Sequence, residues 1–433
     1  MSYMSAIGAL LGLVLAIVLI IKKVSPVYSM IAGALLGGLL SGFGLVGTVN
    51  SMISGVKDIT PAVLRILSAG ILSGMLVKTG AAASISRSIV RTFGTKYAYV
   101  ALALSTLLLT AVGVFVDVAV ITVAPIAIEL GRKFKLSPYT VLLAMIAGGK
   151  CGNVISPNPN TIIASENFGA PLISVMGANV VPALVGFVVT IFLILPLADK
   201  CLRRYIHSSS LSGESLATNE ESISATAAEE EKLPSFWASV AGPLTAVILL
   251  ALRPIANVVI DPLIALPIGG LVGILTTKCW SDAGTCVAYG LEKMSGVAIL
   301  LIGTGTIAGI IKDSAITAYV VDLISKGSIS GTVMAPVSSA LMSAATASTT
   351  AGATLASSSF AQSILGSGVD AIWAAAMVNA GATILDHLPH GSFFHATGGC
   401  VEMSIKDRMR LIPFESAVGL TITLVTVLCY ILF

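Results

Sequence analysis

The chain has 433 residues, of which 56% are hydrophobic and 10% charged, with a mean hydropathy of +0.98. That much apolar surface does not fold into one soluble core, so the chain reads as an all-α polytopic membrane protein. A net charge of +3, spread in short basic clusters between apolar runs, argues against a nucleic-acid partner, and six cysteines without a CxxC pair argue against a disulfide framework or zinc ribbon.

The first apolar run, Ser5 to Ile21, is followed by Lys22 and Lys23 and lacks a basic start and a small-residue cleavage site, so it reads as a retained span. A crossing needs about 20 apolar residues. That places spans near 5–21, 26–47, 59–79, 139–165, 172–197, 236–256, 262–277, 294–312, 371–397 and 411–433. Two stretches, 98–131 and 332–366, are too long for one span and too short for two. Each has a polar or charged centre, Asp117 in the first and Ser348 to Thr350 in the second, between two apolar arms, the pattern expected of a re-entrant hairpin.

With both hairpins non-crossing, most lysines and arginines, from Lys22 and Lys23 through Arg87 and Arg91 to Lys406, Arg408 and Arg410, fall on one side. Lys57, Lys312 and Lys326 fall in loops on the other. By the positive-inside rule the crowded side is the cytoplasm, which puts both termini outside the cytoplasmic membrane of a bacterial cell. The serine- and glutamate-rich stretch 199–235 reads as a flexible cytoplasmic linker between a first half, 1–198, and a second, 236–433. Each half carries about five spans and one hairpin, an odd number of crossings, so the halves form two inverted repeats. Their hydropathy matches: Gly33 and Gly37 answer Gly269 and Gly273, and Gly70 and Gly74 answer Gly305 and Gly309.

One span in each half is broken. Ala144 to Thr161 and Ala376 to His395 align at a constant separation, Met145 on Met377, Gly149 on Gly381, Pro157 on Pro389 and Ala164 on Ala396. Glycines and prolines at such depth free backbone groups that only protein or a watery cavity can satisfy, and paired breaks are the sequence pointer to a transporter's binding site. The half-helix after a break offers free N–H groups and a positive dipole end to an anion. The candidate substrate-binding residues are Lys150, Asn153, Ser156, Asn158, Asn160 and Thr161 at the first break, Ser348, Thr349 and Thr350 at the second hairpin tip, and His390 and Ser392 at the second break. Asp117, Asp386 and His387 are the candidates for ion coupling, Lys150 pairing with Asp117 being one structural alternative. No catalytic residue, metal site or cofactor is assigned: HExxH and GxSxG are absent, and the proline between the histidines of the second break disrupts metal-ligand spacing.

The inverted layout, the break Ser156-Pro-Asn-Pro159 and above all Leu385-Asp-His-Leu-Pro-His-Gly391 resemble the gluconate permease family, proton-coupled organic-acid symporters of the wider ion-transporter superfamily. The resemblance implies re-entrant hairpins, elevator-type alternating access, and proton-driven import of gluconate or a related sugar or hydroxy acid. It also implies a possible homodimer. Where that family carries a histidine between the first-break prolines, this chain has Asn158, and Lys150 is read from its own chemistry alone. The alternatives are a sodium-coupled carrier of di- or tricarboxylates and a cation antiporter or channel of similar fold, the latter short of pathway carboxylates. An enzyme is not expected.

Overall fold

The computed structural model describes residues 3–22, 24–93, 97–134, 136–202, 233–256, 258–315, 330–389, 391–401 and 403–432, and among them every regular element is helical. The first half runs α1 (Tyr3–Ile21), α2 (Pro26–Leu40), α3 (Gly44–Lys78), α4 (Ala81–Phe93), α5 (Ala98–Ala111), α6 (Val116–Phe134), α7 (Pro138–Asn153), α8 (Pro159–Phe168), α9 (Leu172–Ala178), α10 (Val180–Val189) and α11 (Leu195–Leu202). The second runs α12 (Phe236–Ala256), α13 (Pro262–Thr276), α14 (Ala283–Asp313), α15 (Gly331–Thr346), α16 (Thr349–Gly366), α17 (Ala371–Gly381), α18 (Ser392–Gly399), α19 (Ile405–Met409) and α20 (Ile412–Leu432). Among the described residues, four helical stretches, Gly44–Lys78, Leu172–Leu202, Trp280–Asp313 and Ile405–Leu432, are long and apolar enough to cross a membrane. Leu45, Val46, Phe192 and Trp237 lie exposed on the outer surface, apolar area that lipid or another protein must cover.

Several boundaries differ from the hydropathy reading. The span expected over 26–47 ends as a helix at Leu40, turns at Gly42 and Gly44 with φ of 82° and 68°, and re-enters α3 at once. Lys57, expected in a loop, therefore lies within the 35-residue α3; the polar run before Pro61 reads as a loop, yet the helix carries that proline internally. The expected span 294–312 likewise begins earlier, at Ala283. Residues 81–93, skipped as connection, form α4, which buries Ala82, Ile85 and Ile89 and leaves Arg91 outward, an amphipathic pattern too short and polar for a hydropathy window. The span over 172–197 is interrupted at Asn179, whose amide donates to Ala376 O at 3.3 Å and whose carbonyl accepts from Thr426 at 3.0 Å. Of the linker, residues 203–232 lie outside the described residues.

The halves interleave. α3 lies antiparallel along α14, with small residues at the seam: a Cβ added to Gly74 would stand 2.0 Å from the Cys286 carbonyl oxygen, one on Gly290 2.0 Å from that of Gly70, and one on Gly309 2.0 Å from that of Ser51. Helix backbones approach this closely only where side chains are absent. α2 and α13 pack on α1 and α12 through Gly33 and Gly269, and both flank the α3–α14 pair. The remaining helices gather around α7, α8 and α17, where nearly every side chain is buried.

Candidate functional site

The site is built from two chain breaks facing each other. α7 stops at Asn153 and α8 starts at Pro159 under an Asn158 cap; α17 stops at Gly381 and α18 starts at Ser392. Glycines permit the approach of neighbours: Gly149 lies under Val116 at the α5–α6 turn, and Gly391 lies under Ala347 at the α15–α16 turn. Ala347 itself is left-handed, φ 46°, a conformation costly for a residue with a Cβ and held here by the cap that Ser348 Oγ provides to Ala351 N–H at 3.3 Å.

At the centre Lys150, 1% exposed, crosses from the first break to the second. Its ammonium donates to Thr383 O at 2.5 Å and Asp386 Oδ1 at 2.6 Å and lies 2.9 Å from His387 Nδ1, so its three protons have three acceptors. Asp386 Oδ2 accepts from Thr349 at 2.6 Å, which ties the start of α16 to the ion pair. His387 is fully buried; its Nε2 lies 3.1 Å from the Ile412 carbonyl oxygen and 3.1 Å from Ser416 Oγ. A carbonyl only accepts, so the proton of the neutral ring belongs on Nε2 and Nδ1 is left to accept from Lys150. A second ring proton would turn Nδ1 into a donor toward Asp386, 3.0 Å away, and against Lys150.

The asparagines of the first break bond chiefly to one another. Asn158 donates to Asn153 O at 2.7 Å and Asn153 Oδ1 at 2.6 Å and accepts from Thr161 N–H at 3.0 Å and Thr161 Oγ1 at 3.1 Å. Asn160 accepts from Thr350 at 2.6 Å, a second attachment of the start of α16. Ser156 Oγ is buried without a hydrogen-bond partner among the described residues. Asp117 is part-buried at the start of α6, where it accepts from Val118 N–H at 2.9 Å; it is not a partner of Lys150, which pairs with Asp386 instead. Ser392 begins α18, its side chain and all of His390 lying outside the described residues.

Two ionic clusters flank this centre. Arg65 of α3 pairs with Glu166 of α8 at 2.5 Å and with Asp261, before α13, at 2.6 Å, and this hydrogen-bonded guanidinium holds the Asp261 carboxyl below its ordinary range. At the other end, Tyr139 donates to Asp407 at 2.7 Å and Arg410 pairs with Asp407 at 2.5 Å. Arg408, expected among cytoplasmic loop cations, is instead 1% exposed, clamped on Glu415 through both terminal nitrogens and stacked 4.9 Å over Phe394.

The family model described as GntP family permease matches residues 4–433. The chain belongs to the GntP permease family. It is an integral membrane transporter and not an enzyme. It is 50% identical over 430 residues, 99% of each chain, to an uncharacterized transporter of Haemophilus influenzae. It is 24% identical to a high-affinity gluconate transporter of Escherichia coli over 89% of this chain and 90% of that one, and 22% identical to the Gnt-II system L-idonate transporter of the same organism over 70% of each. In fold it is similar to the YdaH transporter of Alcanivorax borkumensis, TM-score 0.59 at 14% identity, covering 87% of each chain. It is also similar to MtrF of Neisseria gonorrhoeae, TM-score 0.60 at 14% identity, covering 88% of this chain and 84% of that one.

Sequence reading overlooked several residues that build the permease's centre. Asn379 donates to Val154 O at 3.2 Å and Thr161 Oγ1 at 3.0 Å, crossing from α17 to the first break, while its own Oδ1 is buried without a partner among the described residues. Thr383 and Ser416 contact Lys150 and His387. Asn379 and Thr383 were visible as polar residues in an apolar half-span; Ser416 carried no signal, because its role depends on where α20 docks.

Proposed function

We propose that this permease imports a small hydroxylated organic anion, gluconate or a related sugar or hydroxy acid, by proton symport across the bacterial cytoplasmic membrane. The observation that carries the reading is the Lys150–Asp386–His387 cluster. A buried ion pair is expensive to form and gains little stability over apolar packing, so one lying between two helix breaks is most simply understood as an exchangeable partner set. The substrate carboxylate takes the place of Asp386 on Lys150. A proton arriving at His387 converts Nδ1 into a donor toward Asp386, removes one acceptor from Lys150, and frees the ammonium for the anion. One proton then accompanies one carboxylate, and the bound centre keeps its net charge. Relatives named for gluconate and L-idonate transport support a hydroxylated substrate, and the hydroxyls of Thr349 and Thr350 lie beside the cluster.

The same reading takes 1–198 and 236–433 as inverted repeats joined by the linker 199–235, with 98–131 and 332–366 as re-entrant hairpins. The glycine seam supports it, because Gly70 on Gly290 and Gly74 on Cys286 are answered by Gly305 on Gly55 and Gly309 on Ser51 under one exchange of halves. The helices around the two breaks move as an elevator against α1–α3 and α12–α14, with both termini outside and two copies forming a homodimer. A sodium-driven variant has one observation in its favour, the buried oxygens Ser156 Oγ and Asn379 Oδ1, which have no partner among the described residues.

The test is uptake of labelled gluconate and other hydroxy acids into proteoliposomes with pH and sodium gradients imposed separately. A proton gradient alone should drive accumulation, and His387→Gln should flatten the pH dependence. Flux indifferent to both gradients would end the symport reading; accumulation on sodium alone would replace the proton.

A further inference from the structure

Some distance along α8 and α16 from the central cluster, a cavity of about 230 Å³ lies between those helices and the α3–α14 pair. We propose that this cavity is a second, outer binding site for the hydroxylated anion, from which it passes along α8 and α16 to the centre; this rests on the functional reading above.

The walls suit a polyol chain. Asn167 donates its two amide protons to Ser357 Oγ at 2.8 Å and Ser358 Oγ at 3.0 Å, which leaves its carbonyl oxygen and the Ser358 proton for a ligand. Ser359, 6% exposed on the same wall, has a buried hydroxyl with no partner among the described residues. That oxygen is sealed from solvent, so the polar groups offered to a solute on this wall are those of Asn167 and Ser358. The cavity is smaller than the roughly 300–1,000 Å³ pockets of drug-sized ligands, matching a solute of about a dozen heavy atoms.

The charges are arranged for exchange. Of the two carboxylates on the wall, Glu166 is held by Arg65 at 2.5 Å and Asp58 by Lys312 at 2.6 Å. Lys312 and Asp58 are about half exposed, so a solute carboxylate can displace Asp58 from Lys312 without breaking a buried pair.

The cavity is also in register with the centre. Asn160 meets Thr350 at 2.6 Å at the hairpin tip, and Asn167 meets Ser357 at the cavity, each partner advanced by the same number of residues along its own helix. α8 and α16 therefore run parallel, with two matching amide–hydroxyl rungs roughly 10 Å apart at 1.5 Å rise per residue. Thr354 lies between the rungs, and its buried hydroxyl, like that of Ser359, has no partner among the described residues. Small-residue packing explains a tight seam of serines, but it does not leave hydroxyls unpartnered along a line between two polar rungs.

Equilibrium dialysis of labelled D-gluconate against the full chain in nanodiscs, with proteoliposome uptake in parallel, tests the proposal. Two sites per chain are expected. Ser358→Ala removes the hydroxyl offered to the ligand and Lys312→Gln removes the half-exposed cation; each is expected to weaken one site by about tenfold, the loss of a hydrogen bond or a charge contact. Lys150→Gln is expected to abolish the other site and leave the outer one sensitive to Ser358→Ala. One site per chain with intact uptake, or two sites both unmoved by Ser358→Ala and Lys312→Gln, overturns the outer site and leaves the functional reading standing. Absence of both binding and uptake of gluconate and other hydroxy acids overturns the two together.

Discussion

Asp386→Asn leaves Lys150, 1% exposed, as a buried cation whose remaining acceptors, Thr383 O at 2.5 Å and His387 Nδ1 at 2.9 Å, are neutral. Removing one member of a buried pair ordinarily costs about 3–5 kcal/mol, because the other charge is left uncompensated. At about 2.1 cal/mol/K of unfolding entropy per residue, a chain of 433 residues then loses roughly 3–6 °C in Tm. The double variant Lys150→Met with Asp386→Asn removes both charges, and Thr349, 2.6 Å from Asp386 Oδ2 in the native chain, keeps a carbonyl acceptor. Its Tm should return to within about 1–2 °C of the unmodified protein, since a charge-free core of similar volume is close to neutral in energy. Uptake of labelled gluconate should be abolished in both. Thermal unfolding in detergent gives the stability arm and proteoliposome flux the functional one. A double variant as unstable as the summed single variants would refute the coupled pair, and full transport by the double variant would remove Lys150 from the substrate path.

Gly290→Ala and Gly309→Ala each place a methyl group 2.0 Å from a carbonyl oxygen of α3 and should cost about 1–3 kcal/mol by overpacking, whereas Gly131→Ala, with nothing within 4 Å, should be neutral or stabilising; Tm shifts of equal sign at all three would contradict the seam. Glu415→Gln strands the 1% exposed Arg408 and should cost about 3–5 kcal/mol, with Arg408→Met/Glu415→Gln recovering most of it, as read by thermal unfolding. The Asp261 carboxyl is held low by Arg65, so its contribution to stability is present above the unfolded carboxylate pKa, about 3.9, and is lost as pH falls through the lower folded value. The stability gap between the native chain and Arg65→Gln should therefore be largest near neutral pH and shrink in strong acid; a gap that widened on acidification would show that Arg65 acts through other contacts.

The membrane class and the two broken stretches were legible because they depend on composition and on glycine and proline, whose effect on a helix is local. Asn158 as the cap of α8 and Ser348 as the cap of α16 follow from the same local chemistry. Hydropathy failed where a segment mixes polarity with helical geometry. The polar run around Lys57 and Pro61 continues inside α3, and α4 hides its apolar face at a period that window averaging erases. Arg408 reads as a loop cation because nothing near it in a hydropathy window announces that Glu415, seven positions on, folds back to meet it.

The candidate residues divide in the same way. The sequence by itself determined that Lys150, Asp386 and His387 are ionisable groups near two helix breaks, and that such groups in an apolar setting need partners. Only the tertiary structure decided which partners they have: Lys150 joins Asp386 across the halves rather than Asp117 within its own, and the asparagines of the first break bond one another. The physical reason is range. Caps, breaks and periodicity are set by neighbours within a turn or two of helix, whereas a salt bridge or a rung such as Asn167 on Ser357 depends on how distant helices dock. That docking is selected by shape at glycine-lined seams, which composition does not encode.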